Sequence, residues 1–296
     1  MSVTIKIVLQ ILLVMVLWAL CFPLITVGIA SAPHLSFAAL RAFVAGAVLL
    51  ALALALRRPL PRSGRVWGLL VLAGFGATSL GFLGMFHAAE FVTPGIATVI
   101  ASTQPLLAAV LAQMFLGEHL DTRSKTGLMI GFLGILLITL PQLLSGLEGN
   151  YPLGIAYIIL AALGVSVSNV VIKRLAGEVD ALVAMGIQLV LGGLPLAAAA
   201  LAFEQPTAIA WSLQFALILL SLSLFGSALV YWLWISILEK VELSRANVFS
   251  FLIPVLGLLI AAAFFEERIG WAELTGVALT ILGVSQVNRR AITEPG

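Results

Sequence analysis

Apolar blocks about 20 residues long, broken only by short runs of charge, glycine or proline, recur from one end of the chain to the other. That is the length at which an α-helix crosses the hydrocarbon core of a bilayer. Charged residues make up 9% of the 296 and the hydrophobic set 62%, against roughly 25% charged in an average soluble protein. A water-soluble domain of this size has too little polar surface to cover so much apolar area. A soluble enzyme, a nucleic-acid binder and a disordered chain are therefore excluded. The alternation expected of outer-membrane barrel strands is missing. The pattern predicts an all-α membrane protein. The single cysteine, Cys21, cannot form an intrachain disulfide, and no Cys/His spacing suggests a metal or cofactor.

Apolar runs bounded by charge, Gly or Pro predict ten transmembrane helices: Ile5–Val27, Phe37–Leu56, Val66–Phe86, Thr93–Leu116, Thr126–Leu143, Gly154–Val171, Ala181–Phe203, Leu213–Leu238, Ala246–Phe265 and Ala272–Val287. No loop is long enough for a separate domain. Ala30-Ser31-Ala32 resembles a signal-peptide cleavage site, but the apolar stretch before it exceeds an h-region, so a retained first helix is expected. Orientation follows from Lys and Arg in short loops. With N- and C-termini cytoplasmic, the inner segments hold Lys6, Arg57, Arg58, Arg62, Arg65, Arg123, Lys125, Lys173, Arg174, Lys240, Arg245, Arg289 and Arg290. The outer loops hold only Arg268. Arg41 falls within a span.

A shift of 149 residues aligns Glu90–Gly134 with Glu239–Gly283 without a gap, and thirteen of those positions are identical. Pro105 matches Pro254, Glu118 matches Glu267, and Thr126-Gly127 matches Thr275-Gly276. Each half, 1–145 and 146–296, has five spans. That odd number requires the second half to be inverted, and equivalent loops carry opposite charge bias. Inverted-topology repeats are common in secondary transporters, with substrate bound near the midplane between the halves.

Several stretches carry a family likeness. They are Trp18-Ala19-Leu20-Cys21-Phe22-Pro23, Leu40-Arg41-Ala42-Phe43, and Phe86-His87-Ala88-Ala89-Glu90-Phe91-Val92-Thr93-Pro94-Gly95 leading to Ser102-Thr103-Gln104-Pro105 and Leu116-Gly117-Glu118. In the second half they are Ser244-Arg245-Ala246, Ile253-Pro254 and Glu266-Glu267-Arg268-Ile269. With proline followed about 13 residues later by Glu in both halves, the chain resembles the drug/metabolite transporter superfamily in its EamA-type branch of ten-helix exporters. The amino-acid exporters of the YddG type are the preferred analogy. The resemblance implies a multi-pass carrier of the bacterial inner membrane whose partners are a small-molecule substrate and lipid. A monomer suffices, and the oligomeric state is not fixed by the sequence.

Polar groups within spans usually face a bundle interior or a wet cavity. On the fourth span Thr98, Ala101, Ser102 and Pro105 share a face at helical spacing. They map onto Asn247, Ser250, Phe251 and Pro254. On the third, Thr78, Phe82 and Met85 map onto Ser227, Tyr231 and Trp234. The repeat thus predicts a substrate cavity between spans 3, 4, 8 and 9, joined by Trp18 and Phe22, Asn169 and Gln188. The competing reading of each residue is helix packing. Pro105 and Pro254 each remove a backbone hydrogen bond and are expected to bend their helices, for gating or for packing. Gly192-Gly193 with Pro195 marks a flexible or close-packed point. Glu118 and Glu267 fit helix capping better than transport. Arg41 either meets a substrate carboxylate or, the reading its position favours, snorkels to the outer interface or makes a helix-end bond. His87 is either a titrating group or an interfacial histidine, the latter favoured.

No Asp or Glu lies in the middle of a span. Proton-coupled pumps usually carry such a carboxylate. Facilitated or exchange-type export is thus expected. A phosphate-bearing substrate would want several cations, and only Arg41 is available. The residues suit a small neutral or zwitterionic solute with apolar parts, amino acids included. The alternatives are an exporter of drugs or other small metabolites, a channel, or a non-transporting scaffold. Nothing supplies a catalytic pair or metal cluster for a membrane enzyme.

Overall fold

The computed structural model describes residues 3–87, 101–144, 151–205, 208–265 and 270–293. Its helices are α1 (Val3–Ile29), α2 (His34–Ala55), α3 (Gly64–His87), α4 (Gln104–Leu116), α5 (Thr122–Leu144), α6 (Tyr151–Leu175), α7 (Ala181–Phe203), α8 (Leu213–Leu238), α9 (Leu243–Asn247), α10 (Leu252–Phe265) and α11 (Trp271–Thr293). Among the described residues there is no strand, only an isolated bridge between Ala176 and Val179. The turn there is tight enough to need Gly177 at φ 84°. Among the described residues seven helices are long and apolar enough to cross a membrane. Large apolar side chains point outward along them, Leu54, Leu201 and Leu217 among them, as a lipid-facing surface requires. The front of the fourth expected span, 93–100, lies outside the described residues, as does Glu267.

Two irregularities recur at the repeat distance. Helix α3 widens to π geometry over Gly74–Leu80, and α8 does so over Leu224–Leu229. Adding 149 to the first range gives 223–229. Between α9 and α10 the chain tightens to a 3-10 turn over Val248–Phe251. Pro254 causes this: it has no N–H to give and its ring crowds the carbonyl four residues back. Ser250 Oγ donates instead to the Asn247 carbonyl at 2.6 Å. Pro105 likewise stands in the first turn of α4. The two prolines begin new helices after a break and do not sit in the interior of bent ones.

Helices α2 and α7 run antiparallel. A Cβ on Gly193 would meet Phe43, one on Gly46 would meet Val190 and the Gly186 carbonyl, and one on Gly186 would meet Leu50. The ends agree. Arg58, just past α2, pairs with Asp180, the N-cap of α7, at 3.5 Å. Helices α5 and α11 also cross antiparallel, backbone on backbone. A Cβ on Gly127 would lie 2.9 Å from the Gly283 carbonyl oxygen, and one on Gly134 would lie 2.6 Å from that of Gly276. The 149-residue shift takes Gly127 to Gly276 and Gly134 to Gly283, so each contact is the image of the other.

Two helices are capped from a distance. Neither Pro33 before α2 nor Glu242 before α9 caps with its own side chain. Glu204, at the end of α7, accepts from Leu35 N, Ser36 N and Ser36 Oγ, all at 2.8 Å. Glu118 accepts from Leu243 N at 2.7 Å, Ser244 N at 2.9 Å and Ser244 Oγ at 2.5 Å. Gly117, at φ 69°, ends α4 and turns Glu118 toward α9. A carboxylate over two free N–H groups also faces the positive end of the helix dipole. At the same end of the bundle Lys173 Nζ donates to the carbonyls of Leu238 and Val241, and Arg174 donates to that of Phe115.

Candidate functional site

Helix α8 carries the centre of the candidate site. Ser227 lies in its π stretch, and Tyr231 and Trp234 follow at i+4 and i+7, on one face. The widened turn leaves the Gly226 carbonyl free to accept from outside the helix. Arg41 of α2 takes that carbonyl with Nη2 at 3.0 Å, donates from Nε to Ser227 Oγ at 2.9 Å, and lies 3.5 Å from Cys21 Sγ. Its guanidinium carbon sits 4.7 Å over the Phe82 ring of α3, within cation–π range. Arg41 is only 1% exposed, so it does not snorkel to an interface. Its favoured sequence reading is corrected on that point: the π stretch of α8 supplies inward-facing acceptors that no spacing rule reveals.

One turn along α8 the character becomes aromatic. Trp18 of α1 meets Tyr231 edge-on at 6.5 Å and Trp234 at 5.4 Å between centroids. Trp234 Nε1 donates to Asn169 Oδ1 of α6 at 3.0 Å. The structure thus gathers Arg41, Ser227, Tyr231, Trp234 and Asn169, with Phe82 and the half-buried Trp18, into one internal stripe joining α1, α2, α3, α6 and α8. Among these groups no side chain is acidic.

Other predicted residues lie apart from it. Thr78, in the π stretch of α3, donates to Gln188 Oε1 of α7 at 3.2 Å. Ser79 beside it donates to the Gly192 carbonyl at 2.7 Å. Gly74 and Gly192 lie backbone to backbone, so the Gly192-Gly193 point is close-packed. Asn247 is buried at the end of α9, and Ser250 lies in the 3-10 turn. Ser102 is buried just before α4. Thr98 lies outside the described residues. Phe22 is within α1, but its side chain is not described. Of the predicted four-span cavity, the described parts of α3 and α8 contribute to the stripe, whereas Ser102, Asn247 and Ser250 belong to the helix breaks.

Sequence reasoning missed Cys21 and the Gly226 carbonyl as parts of the site. It also missed a polar cluster at the opposite end from Glu118. There His87 Nδ1 and His34 Nε2 are 2.8 Å apart, His34 lies 3.6 Å from Glu204, and the His87 ring packs edge-on against Tyr157. The placement of two histidines and a glutamate at the ends of the second, third and seventh spans, which share one side of the predicted topology, was the only available signal.

The arrangement is that of an integral membrane protein with an internal polar stripe that has one guanidinium and no carboxylate, and with helix breaks at repeat-related places, the class to which carriers belong. The EamA-like transporter family model matches twice, over residues 5–140 and 152–289. The chain belongs to the EamA-like transporter family. It is similar to a transporter of Synechocystis, 30% identical over 274 residues, covering 86% of this chain and 81% of that one. A chloroplastic WAT1-related protein of Arabidopsis thaliana is 30% identical over 262 residues, 85% of this chain; the chain spans 62% of that plant protein's length. A protein of Escherichia coli described as a probable amino-acid metabolite efflux pump is 26% identical over 286 residues, covering 92% of this chain and 91% of that one. A solved crystal structure matches with a TM-score of 0.80 over 97% of this chain and 98% of the other at 22% identity, a likeness of fold.

Proposed function

We propose that this chain exports small neutral or zwitterionic metabolites, amino acids and aromatic ones among them, across the bacterial inner membrane. It works by alternating access between two inverted five-helix halves, 1–145 and 146–296, with both termini cytoplasmic and ten spans in all. The observation that carries the reading is the stripe itself: four aromatic side chains, hydroxyl and amide groups, one guanidinium, and no carboxylate. Trp18, Tyr231 and Trp234 offer apolar faces to a side chain, while Ser227, Asn169 and Arg41 offer polar contacts. Without a mid-span Asp or Glu to carry a proton, flux follows the metabolite gradient or an exchanged solute. The relative described as a probable amino-acid metabolite efflux pump supports the substrate class. Thr78 with Gln188, and Asn247 with Ser250, are assigned to the pathway walls. Thr98 and Ser102 are kept there on the repeat pattern and Phe22 as a neighbour of Trp18 on the first span, and Pro105 and Pro254 mark the points about which the broken helices move.

Counterflow in liposomes tests this. Purified protein is reconstituted, vesicles are loaded with unlabelled L-phenylalanine, and entry of labelled L-phenylalanine is followed. Saturable entry stimulated by the internal load is expected. Non-saturating entry without trans-stimulation would indicate a channel, and concentrative entry driven only by an imposed proton gradient would refute the uncoupled mechanism.

A further inference from the structure

We propose that Arg41 is the receptor for a carboxylate on the transported molecule, which makes the carrier selective for monocarboxylates with an aromatic or aliphatic body. The inference deepens the transport reading above and rests on it. A guanidinium stays charged at any physiological pH, and a buried charge is normally paired. Arg41 is buried among apolar helices, yet its partners among the described residues are all neutral: a serine hydroxyl, a glycine carbonyl, a thiol and a phenyl face. Three of its five N–H groups lie on Nε and Nη2, which those partners engage. Nη1 is shielded from solvent and has no hydrogen-bond partner. The site therefore holds one uncompensated positive charge with one unpartnered donor edge.

The unpartnered donor and its charge select the ligand. A single edge takes one carboxylate oxygen or one carboxylate end-on. With no other cation in the stripe, a phosphate or dicarboxylate would bring more negative charge than the site can balance. Next along α8, one turn beyond the Ser227 that Arg41 engages, stands Tyr231, and Trp18 and Trp234 follow. A molecule with its carboxylate on Nη1 would lay its body against these rings.

The alternative is that Arg41 only ties α2 to α8. The two roles separate in a ligand comparison. The full chain in lipid nanodiscs is titrated, by tryptophan fluorescence and thermal stabilisation, with two matched pairs: 3-phenylpropanoate and 3-phenylpropanamide, and L-phenylalanine and L-phenylalaninamide. The acid of each pair is expected to bind at least about tenfold more tightly than its amide. Arg41→Lys should keep the preference, and Arg41→Gln should weaken the acids by roughly 10- to 100-fold, the range for one charged hydrogen bond, down to the level of the amides. A purely structural Arg41 would lower the melting temperature of the variants and leave the acid-to-amide ratio unchanged. A second measurement needs no variant. Cys21 is the chain's sole cysteine and adjoins Arg41, so its alkylation by a maleimide should be slowed by the acids and not by the amides. Equal acid and amide affinities in the wild type, or a preference that survives Arg41→Gln, overturns the proposal. Absence of binding by all four ligands beside trans-stimulated flux of another solute refutes the carboxylate site and leaves the carrier standing. Acid-selective binding without any counterflow does the reverse.

Discussion

Replacing Glu118 by alanine should destabilise the protein by about 2–4 kcal/mol. The carboxylate holds three donors at the start of α9, two backbone N–H groups and the Ser244 hydroxyl. Hydrogen bonds to a charged group are worth about 1.5–3 kcal/mol each. The three are not additive, since water can reach a residue that is 8% exposed and replace part of what is lost. Loss of an N-cap alone is worth about 0.5–2 kcal/mol, which sets the lower end. Glu118→Gln keeps an acceptor oxygen but turns an N–H₂ toward a donor, and should fall between alanine and wild type. Ser244→Ala removes one bond and should cost about 1 kcal/mol. Glu204→Ala at the other end of the bundle removes a matching set and should cost about as much as Glu118→Ala. Unfolding of the purified variants in one detergent, followed by helical circular dichroism against denaturant, measures all four. A Glu118→Ala protein within about 0.5 kcal/mol of wild type, the range of ordinary surface substitutions, would refute the capping argument, as would a Ser244→Ala protein destabilised equally.

Other consequences can be checked with the same preparations. Trp234→Ala and Asn247→Ala should lower counterflow while leaving membrane expression intact, and wild-type flux in both would remove these residues from the pathway. Trp234→Phe keeps a ring beside Trp18 but leaves Asn169 Oδ1 without its donor, at a cost of about 1 kcal/mol on the same denaturant scale. Gly134→Val drives a branched side chain into the α11 backbone and should cost about 3 kcal/mol or more. Gly68→Ala, where a Cβ would meet nothing within 4 Å, should be neutral or stabilising by up to about 1 kcal/mol. With Cys21 replaced by serine, single cysteines at Arg62 and Trp211 should label from opposite sides of the membrane. Labelling from one side would refute the ten-span topology.

What the sequence revealed depended on how far each effect reaches along the chain. Hydropathy and the 149-residue repeat are one-dimensional signals, so helical class, apolar spans and family were legible in them. The α8 stripe was also legible, because Ser227, Tyr231 and Trp234 stand at helical spacing and the repeat relates them to Thr78, Phe82 and Met85. A substrate carboxylate on Arg41 was among the sequence readings, but its protein partners were hidden, because they are set by a π stretch that helical periodicity does not register. Positions counted at 3.6 residues per turn slip by one residue across such a stretch, and the freed Gly226 carbonyl has no signature in its own side chain. The trans caps were hidden for a different reason. Glu118 and Glu204 act on helices 125 and 168–169 residues away, and a helix-end glutamate looks the same whether it caps its own helix or another. Pro105 and Pro254 were recognised as disruptions, but their effect depends on whether the preceding turn tightens, which a neighbour's hydroxyl decides in the case of Ser250.

The α5–α11 crossing has a mechanical consequence. Under the proposed alternating access, each inverted half would adopt in turn the conformation its counterpart had. Under that exchange Gly127 takes the place of Gly276 and Gly134 that of Gly283, so the contact of Gly127 with Gly283 becomes the contact of Gly134 with Gly276. The pair of contacts maps onto itself. Motion elsewhere in the bundle can therefore reverse while this crossing stays still, a pivot whose two bearing points merely trade names.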